Sequence, residues 1–186
     1  MNAKFKLAAL LLGLLGVSSI SFAEESLVEA VFTPFRQKEI VPVDNKKYKE
    51  ECGSCHFAYP PGLLPAKSWE KLLKGDALKN HFGDNAELDN DVQKAIYDYA
   101  MANSADKSYH KRSRKITQAT AQGDAPLRIT EVRYIKRKHH ELTDKMVKNN
   151  PGVKSLSYCD ACHSQASQGV FDKDFVKIPN FAKWED

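Results

Sequence analysis

The pattern Cys-x-x-Cys-His occurs twice in the chain, at Cys52-Gly53-Ser54-Cys55-His56 and at Cys159-Asp160-Ala161-Cys162-His163. The two copies use all 4 cysteines of the 186 residues. This pattern marks covalent haem attachment, and its spacing has a chemical reason. Two thiols on an incipient helical turn can form thioethers with the two vinyl groups of one porphyrin. The histidine that follows is then carried under the ring, where its imidazole can bind iron. Cys52, Cys55, Cys159 and Cys162 are therefore the expected attachment points of two haem c groups. His56 and His163 are the expected first axial ligands. Zinc is an alternative, held by four thiolates or by two thiolates and two imidazoles. It would make the placing of a histidine directly after each cysteine pair a coincidence. Two disulfides are the other alternative.

The N-terminus bears on the choice. Lys4 and Lys6 precede an apolar run from Leu7 to Val17, and Ser21-Phe22-Ala23 places small residues before Glu24. This order reads as a secretory signal peptide over residues 1–23. The run is too short for a comfortable membrane span, and no other segment approaches one. The expected mature chain, residues 24–186, thus works outside the cytosol without an integral membrane segment. Unprotected cysteine pairs there would tend to oxidise. Composition narrows the class further. With 28 Lys+Arg against 24 Asp+Glu, the formal charge is only +4, which argues against a nucleic-acid-binding polycation and against a disordered chain. The length suits one domain.

Function turns on the sixth position of each iron. A strong sixth ligand makes an electron carrier, and an open position makes a gas binder or an enzyme. The candidates are His81, His110, His139, His140, Met101 and Met146. Periodicity sorts them. From Thr130 to Lys148 the pattern predicts a helix, with Val132, Ile135, His139, Leu142 and Met146 on one apolar stripe. His139 lies on that face, and His140 turns away by about 100°. His81 keeps apolar company with Leu78 and Phe82, and Gly83 is expected to end that turn. His139 and His81 are the better ligands. Met101 falls opposite the apolar stripe of a helix expected over residues 89–103, Met146 reads as core, and His110 sits in a charged loop. The favoured pairing is His56 with His81 and His163 with His139, with a crossed arrangement open.

The rest of the chain reads as mostly α with extensive irregular loops, organised around the two haems. A first haem region is expected over residues 47–105, a basic loop over 106–126 and a second haem region over 127–186. A short helix leads from Tyr48 into the first motif, Ser68 is positioned to cap the helix carrying Trp69, Leu72 and Leu73, and Leu127 to Thr130 is the one candidate extension. Lys107 to Lys115 holds five Lys/Arg and no acid. Such a run is a solvated loop, an electrostatic docking patch or a source of partners for the haem propionates. Phe171, Phe175 and Phe181 are expected around the second haem.

Three strings carry a wider resemblance: CGSCHFAYPPGLLPAKSWEKLLKGDALKNHFGDNAELD from Cys52, LRITEVRYIKRKHHEL from Leu127 and YCDACHSQASQGVFDKDFVKIPNF from Tyr158. They resemble the dihaem cytochrome c family of proteobacteria. The resemblance implies a periplasmic electron-transfer protein with both haems bis-histidine ligated, through His56, His81, His139 and His163. It also implies redox partners such as a membrane b-type cytochrome or a small oxygen-binding monohaem cytochrome. The rival is a peroxidase-like haem enzyme or gas-binding protein with one five-coordinate iron, in which His140 or Arg133 would supply the distal polar group.

Overall fold

Short amphipathic runs, interrupted by proline and by polar side chains that cap backbone groups, set the architecture. The computed structural model describes residues 37–120 and 123–182. Among them are six α-helices and several 3-10 turns: α1 Lys46–Cys52, α2 Ala66–Leu73, α3 Asn90–Ala102, α4 Lys111–Ala119, α5 Arg133–Lys138 and α6 Cys159–Cys162. The described residues contain no strand, and two isolated bridges, His81 with Asp84 and His163 with Val176, are the only sheet-like pairings. The expected mostly helical class is the class found. Residues 1–23, read as a signal peptide, lie outside the described residues.

The first half supplies most of the core. α2 and α1 both pack on α3. Tyr48, Leu64, Leu72, Ile96 and Ala100 meet there, all buried. The polar ends of the aromatics are satisfied locally: Tyr48 donates to the Tyr59 carbonyl at 2.8 Å and Trp69 Nε1 to the Pro61 carbonyl at 2.8 Å. This lets large rings enter the core without stranding a donor.

Several expected boundaries shift, each for a visible reason. α1 stops at Cys52 rather than running through the motif. Ser54 donates its hydroxyl to the Glu51 carbonyl at 2.9 Å, so that carbonyl is satisfied without a further turn. Ser68 does not cap α2. Pro65 holds the cap position in an extended conformation, Asp106 accepts from the Ala66 N–H at 2.6 Å, and Ser68 is buried inside the helix. Leu127 to Thr130 is not an extension; a 3-10 turn begins at Ile129.

Two corrections are larger. The basic loop expected over residues 106–126 contains α4. Ser113 and Ile116 are fully buried on one side of it, so a narrow buried stripe anchors a largely polar helix. His110 is half-buried rather than solvated, with Nδ1 donating to the Glu39 carbonyl at 2.5 Å. The long helix expected over residues 130–148 is only α5. His139 and His140 end it, their Nδ1 atoms lying 2.9 Å from the Ile135 carbonyl and 3.0 Å from that of Arg137. The His139 N–H closes the last turn on the Ile135 carbonyl at 3.1 Å, and the His140 side chain takes up the Arg137 carbonyl that a longer helix would have paired. Beyond them Val147 is buried rather than Leu142.

A strap from Gln37 to Val43 crosses both halves. Lys111 N–H donates to the Gln37 carbonyl at 2.9 Å and Ile40 N–H to the Gly169 carbonyl at 3.0 Å. Glu39 Oε2 accepts from Arg112 Nε at 3.2 Å and from the Phe171 N–H at 2.9 Å. Lys38 pairs with Asp172. Gly169 makes the crossing feasible. Its φ is +75°, and a Cβ there would lie 2.0 Å from the Ile40 carbonyl oxygen.

Candidate haem centres

The first centre is built on the end of α1 and the turn after α2. α1 delivers Cys52 half-buried, and the following turn leaves Cys55 exposed and His56 half-buried. His81 sits at the end of the 3-10 turn Gly75–Asn80, held by paired hydrogen bonds with Asp84 of 2.7 and 3.2 Å. The His56 and His81 rings are nearly parallel, 22° apart, with centroids separated by 6.4 Å. His56 Nδ1 lies 2.8 Å from the Phe57 carbonyl. A hydrogen bond there fixes the tautomer and leaves Nε2 as the lone-pair nitrogen.

The second centre is built on α6 and the residue that ends α5. α6 is one turn carrying Cys159 and Cys162, both half-buried, and the His163 N–H closes it on the Cys159 carbonyl at 2.8 Å. His139 and His163 face each other with centroids 6.0 Å apart and planes at 75°. His139 Nδ1 is engaged by the Ile135 carbonyl. His163 Nδ1 is buried without a hydrogen-bond partner. Its pKa falls to about 4, first through burial and then through His139 and Arg112. That of His81 also falls, through burial, His56 and Arg128. Burial disfavours the protonated form of both rings, and the neutral imidazole is the form that binds a metal.

These residues fit a porphyrin iron. A metal–imidazole bond is about 2 Å, so two imidazoles on opposite sides of one metal have centroids roughly 6 Å apart. The thiols fit as well. Burial pushes Cys52 and Cys159 to about 12 and raises Cys162. A buried thiolate is costly, whereas S–H addition across a vinyl C=C leaves a neutral thioether. All four cysteines are unpaired. Among the described residues no three His, Cys, Asp or Glu are grouped to hold an ion by themselves.

The two motifs adjoin. Cys55, His56 and Phe57 line the same cleft as Tyr158 and Asp160, with a volume of about 530 Å³. Tyr59 ties them together. Its ring stacks on His56 at 4.8 Å, and its hydroxyl donates to the Ser157 carbonyl at 2.6 Å, two residues before Cys159. Sequence reasoning missed this role, although Tyr59 stands three residues after His56 in a string already singled out. It also missed Arg128, which lies over the Phe82 ring at 3.9 Å beside His81. Phe171 does reach the second centre, 5.3 Å from the His163 ring, while Phe175 and Phe181 remain exposed. His140 points outward, 3.6 Å from Glu141.

Helices and turns gathered about two such centres define a c-type haem protein with two attachment sites. Residues 48–171 match the dihaem cytochrome c family. Among solved structures, a dihaem c-type cytochrome from Shewanella baltica is 40% identical, with a TM-score of 0.61 over 76% of this chain and 98% of that one. A dihaem cytochrome c from Rhodobacter sphaeroides is 40% identical, with a TM-score of 0.62 over 70% of this chain and 99% of that one. Comparison with curated proteins gives no match. The chain belongs to the dihaem cytochrome c family and carries two covalently attached haem c groups.

Proposed function

We propose that the protein is a periplasmic electron carrier whose two haems are each closed by two histidines, His56 with His81 and His163 with His139. The observation that carries this reading is the pair of imidazole couples at 6.4 and 6.0 Å. Each iron, when bound, takes up and releases one electron. The residues around it keep that exchange free of other chemistry. With haem bound, His56 and His81 would hold one iron and His139 and His163 the other, which would leave oxygen or peroxide no site to bind. The backbone carbonyls of Phe57 and Ile135 orient His56 and His139, as outer partners of metal ligands commonly do. Tyr59 holds the two attachment segments together, favouring a short relay between the centres.

Export through residues 1–23 fits this role, and no described helix is long and apolar enough to cross a membrane. The partners are redox proteins, a membrane b-type cytochrome or a small oxygen-binding monohaem cytochrome being the kinds proposed. Carbon monoxide discriminates the carrier from the haem enzyme or gas binder. The reduced protein should bind none at neutral pH; rapid stoichiometric binding would establish an open iron and overturn the closed reading. Low-temperature EPR assigns the ligands. His81→Ala and His139→Ala should each convert one low-spin haem, and His140→Ala should convert neither.

A further inference from the structure

Apart from Arg112, which acts on His163, the cations of α4 and α5 have no part assigned in the haem centres. α4, KRSRKITQA, and α5, RYIKRK, contain no acid, and the two helices pack side by side. Both turn their buried side chains inward, Ser113 and Ile116 from α4 and Tyr134 from α5. Lys115, Arg133, Lys136, Arg137 and Lys138 are left exposed. Two neighbouring acids are already occupied, Glu39 by Arg112 and Glu131 by Arg128. Among the described residues Lys115, Lys136 and Lys138 have no carboxylate partner.

We infer that this two-helix face is the docking surface for a redox protein with a carboxylate-lined contact face, and that it serves the second haem. The inference rests on the electron-carrier reading and adds the partner's chemistry and the centre at which it exchanges. Three observations select this occupant. The unneutralised cations match a surface of carboxylates, and such a match steers association. α5 ends on His139, so a partner seated here lies against the segment holding the second centre. Tyr109, two residues before the start of α4, is 80% exposed; tyrosine is a side chain enriched in protein interfaces. A lipid surface fits less well, because an interfacial helix needs an apolar face for the bilayer and those of α4 and α5 are spent on the core.

The test uses the dihaem protein with both haems attached and a flavodoxin, an acidic one-electron flavoprotein, as probe. Affinity by calorimetry and the rate of reduction by stopped flow are measured from low to high salt. In Lys115→Glu/Lys136→Glu/Lys138→Glu, affinity and rate should both fall at least about tenfold at low salt, with a flattened salt dependence. The same charge change on α1, Lys46→Glu/Lys47→Glu/Lys49→Glu, should change either by less than about twofold. If the reversed variant does not mature, replacing the same three lysines by Gln should give a smaller loss in the same direction. Unchanged affinity in the α4–α5 variants, or an equal loss in the α1 variant, overturns the proposal. So does patch-dependent binding to phosphatidylglycerol vesicles with flavodoxin affinity unaltered. Reduction by dithionite and the absence of carbon monoxide binding report separately on the carrier reading, so a failed docking face is told apart from a failed carrier.

Discussion

Gly169 and Tyr48 sit at two points where one side chain decides whether distant segments can meet. At Gly169 the backbone takes φ +75° while the strap passes so close that a Cβ would stand 2.0 Å from the Ile40 carbonyl oxygen. An alanine there is penalised by its own conformation and by collision with a backbone atom that cannot rotate aside. Gly169→Ala should destabilise the protein by about 2–4 kcal/mol, read as a lower denaturant midpoint with both haems attached. A midpoint within error of wild type would show that the strap is not held there. Tyr48 poses an electrostatic question. Burial is the main cause that raises its phenol well above the ordinary value. In the unfolded chain that phenol ionises near about pH 10, whereas the folded protein retains the proton. Above that pH the native state therefore binds more protons, and stability must fall as pH rises. Tyr48→Phe should flatten this alkaline decline. Near neutral pH it should cost about 1 kcal/mol for the hydrogen bond lost to the Tyr59 carbonyl. Denaturation curves at neutral and alkaline pH separate the two effects, and an unchanged alkaline slope would remove Tyr48 as the source.

Elements differ in how openly the sequence announces them. α3 is legible because Val92, Ile96 and Tyr99 recur at helical spacing in a long run with few competing signals, and it lies within one residue of its expected bounds, although Ala100 rather than Ala95 is buried beside Ile96. The attachment motifs are legible because the chemistry requires a fixed local spacing. α4 is not. Its buried stripe is essentially Ser113 and Ile116 inside a dense run of cations, and helix formation there depends on packing against the rest of the fold. Asn150 is hidden for a related reason. It is buried, yet its side chain donates to the Met146 and Pro179 carbonyls and accepts from the Gly152 N–H and from Asn180. Nothing near it in sequence predicts partners 29 residues away. Tertiary packing of α4 has a direct consequence. Ile116→Ala should cost about 2–4 kcal/mol, while Lys115→Ala should change stability by less than about 0.5 kcal/mol. Amide exchange should show protection across Lys111–Ala119 in the wild type. Exchange as fast as in an unstructured loop would contradict the helix.

At the scale of the whole molecule, the protein's order is unevenly founded. The main buried cluster draws on residues from Ile40 to Tyr134, with Phe171 reaching it from the C-terminal side. From His139 onward the buried apolar side chains are few, chiefly Val147, Val153, Ala166 and Ile178. Regular structure there amounts to α6 and short 3-10 turns. Ordering each residue of such a segment carries a conformational cost that burial must offset. The polypeptide buries too little there to do so alone. On the proposed ligation, the second haem would supply the missing apolar surface and, through His139 and His163, a cross-link between the end of α5 and α6. Its loss should therefore be local before it is global. The double variant Cys159→Ala/Cys162→Ala should keep the first haem, low-spin, and keep amide protection in α1 to α3. Residues 139–182 should become readily cleaved by protease at concentrations that leave the wild type intact. The fully haem-free chain, lacking both supports, should show no cooperative native-like melt. Protease resistance of the C-terminal segment in the double variant would mean that the strap and Asn150 suffice to hold it, and that the second haem is a guest in a preformed fold rather than part of its core.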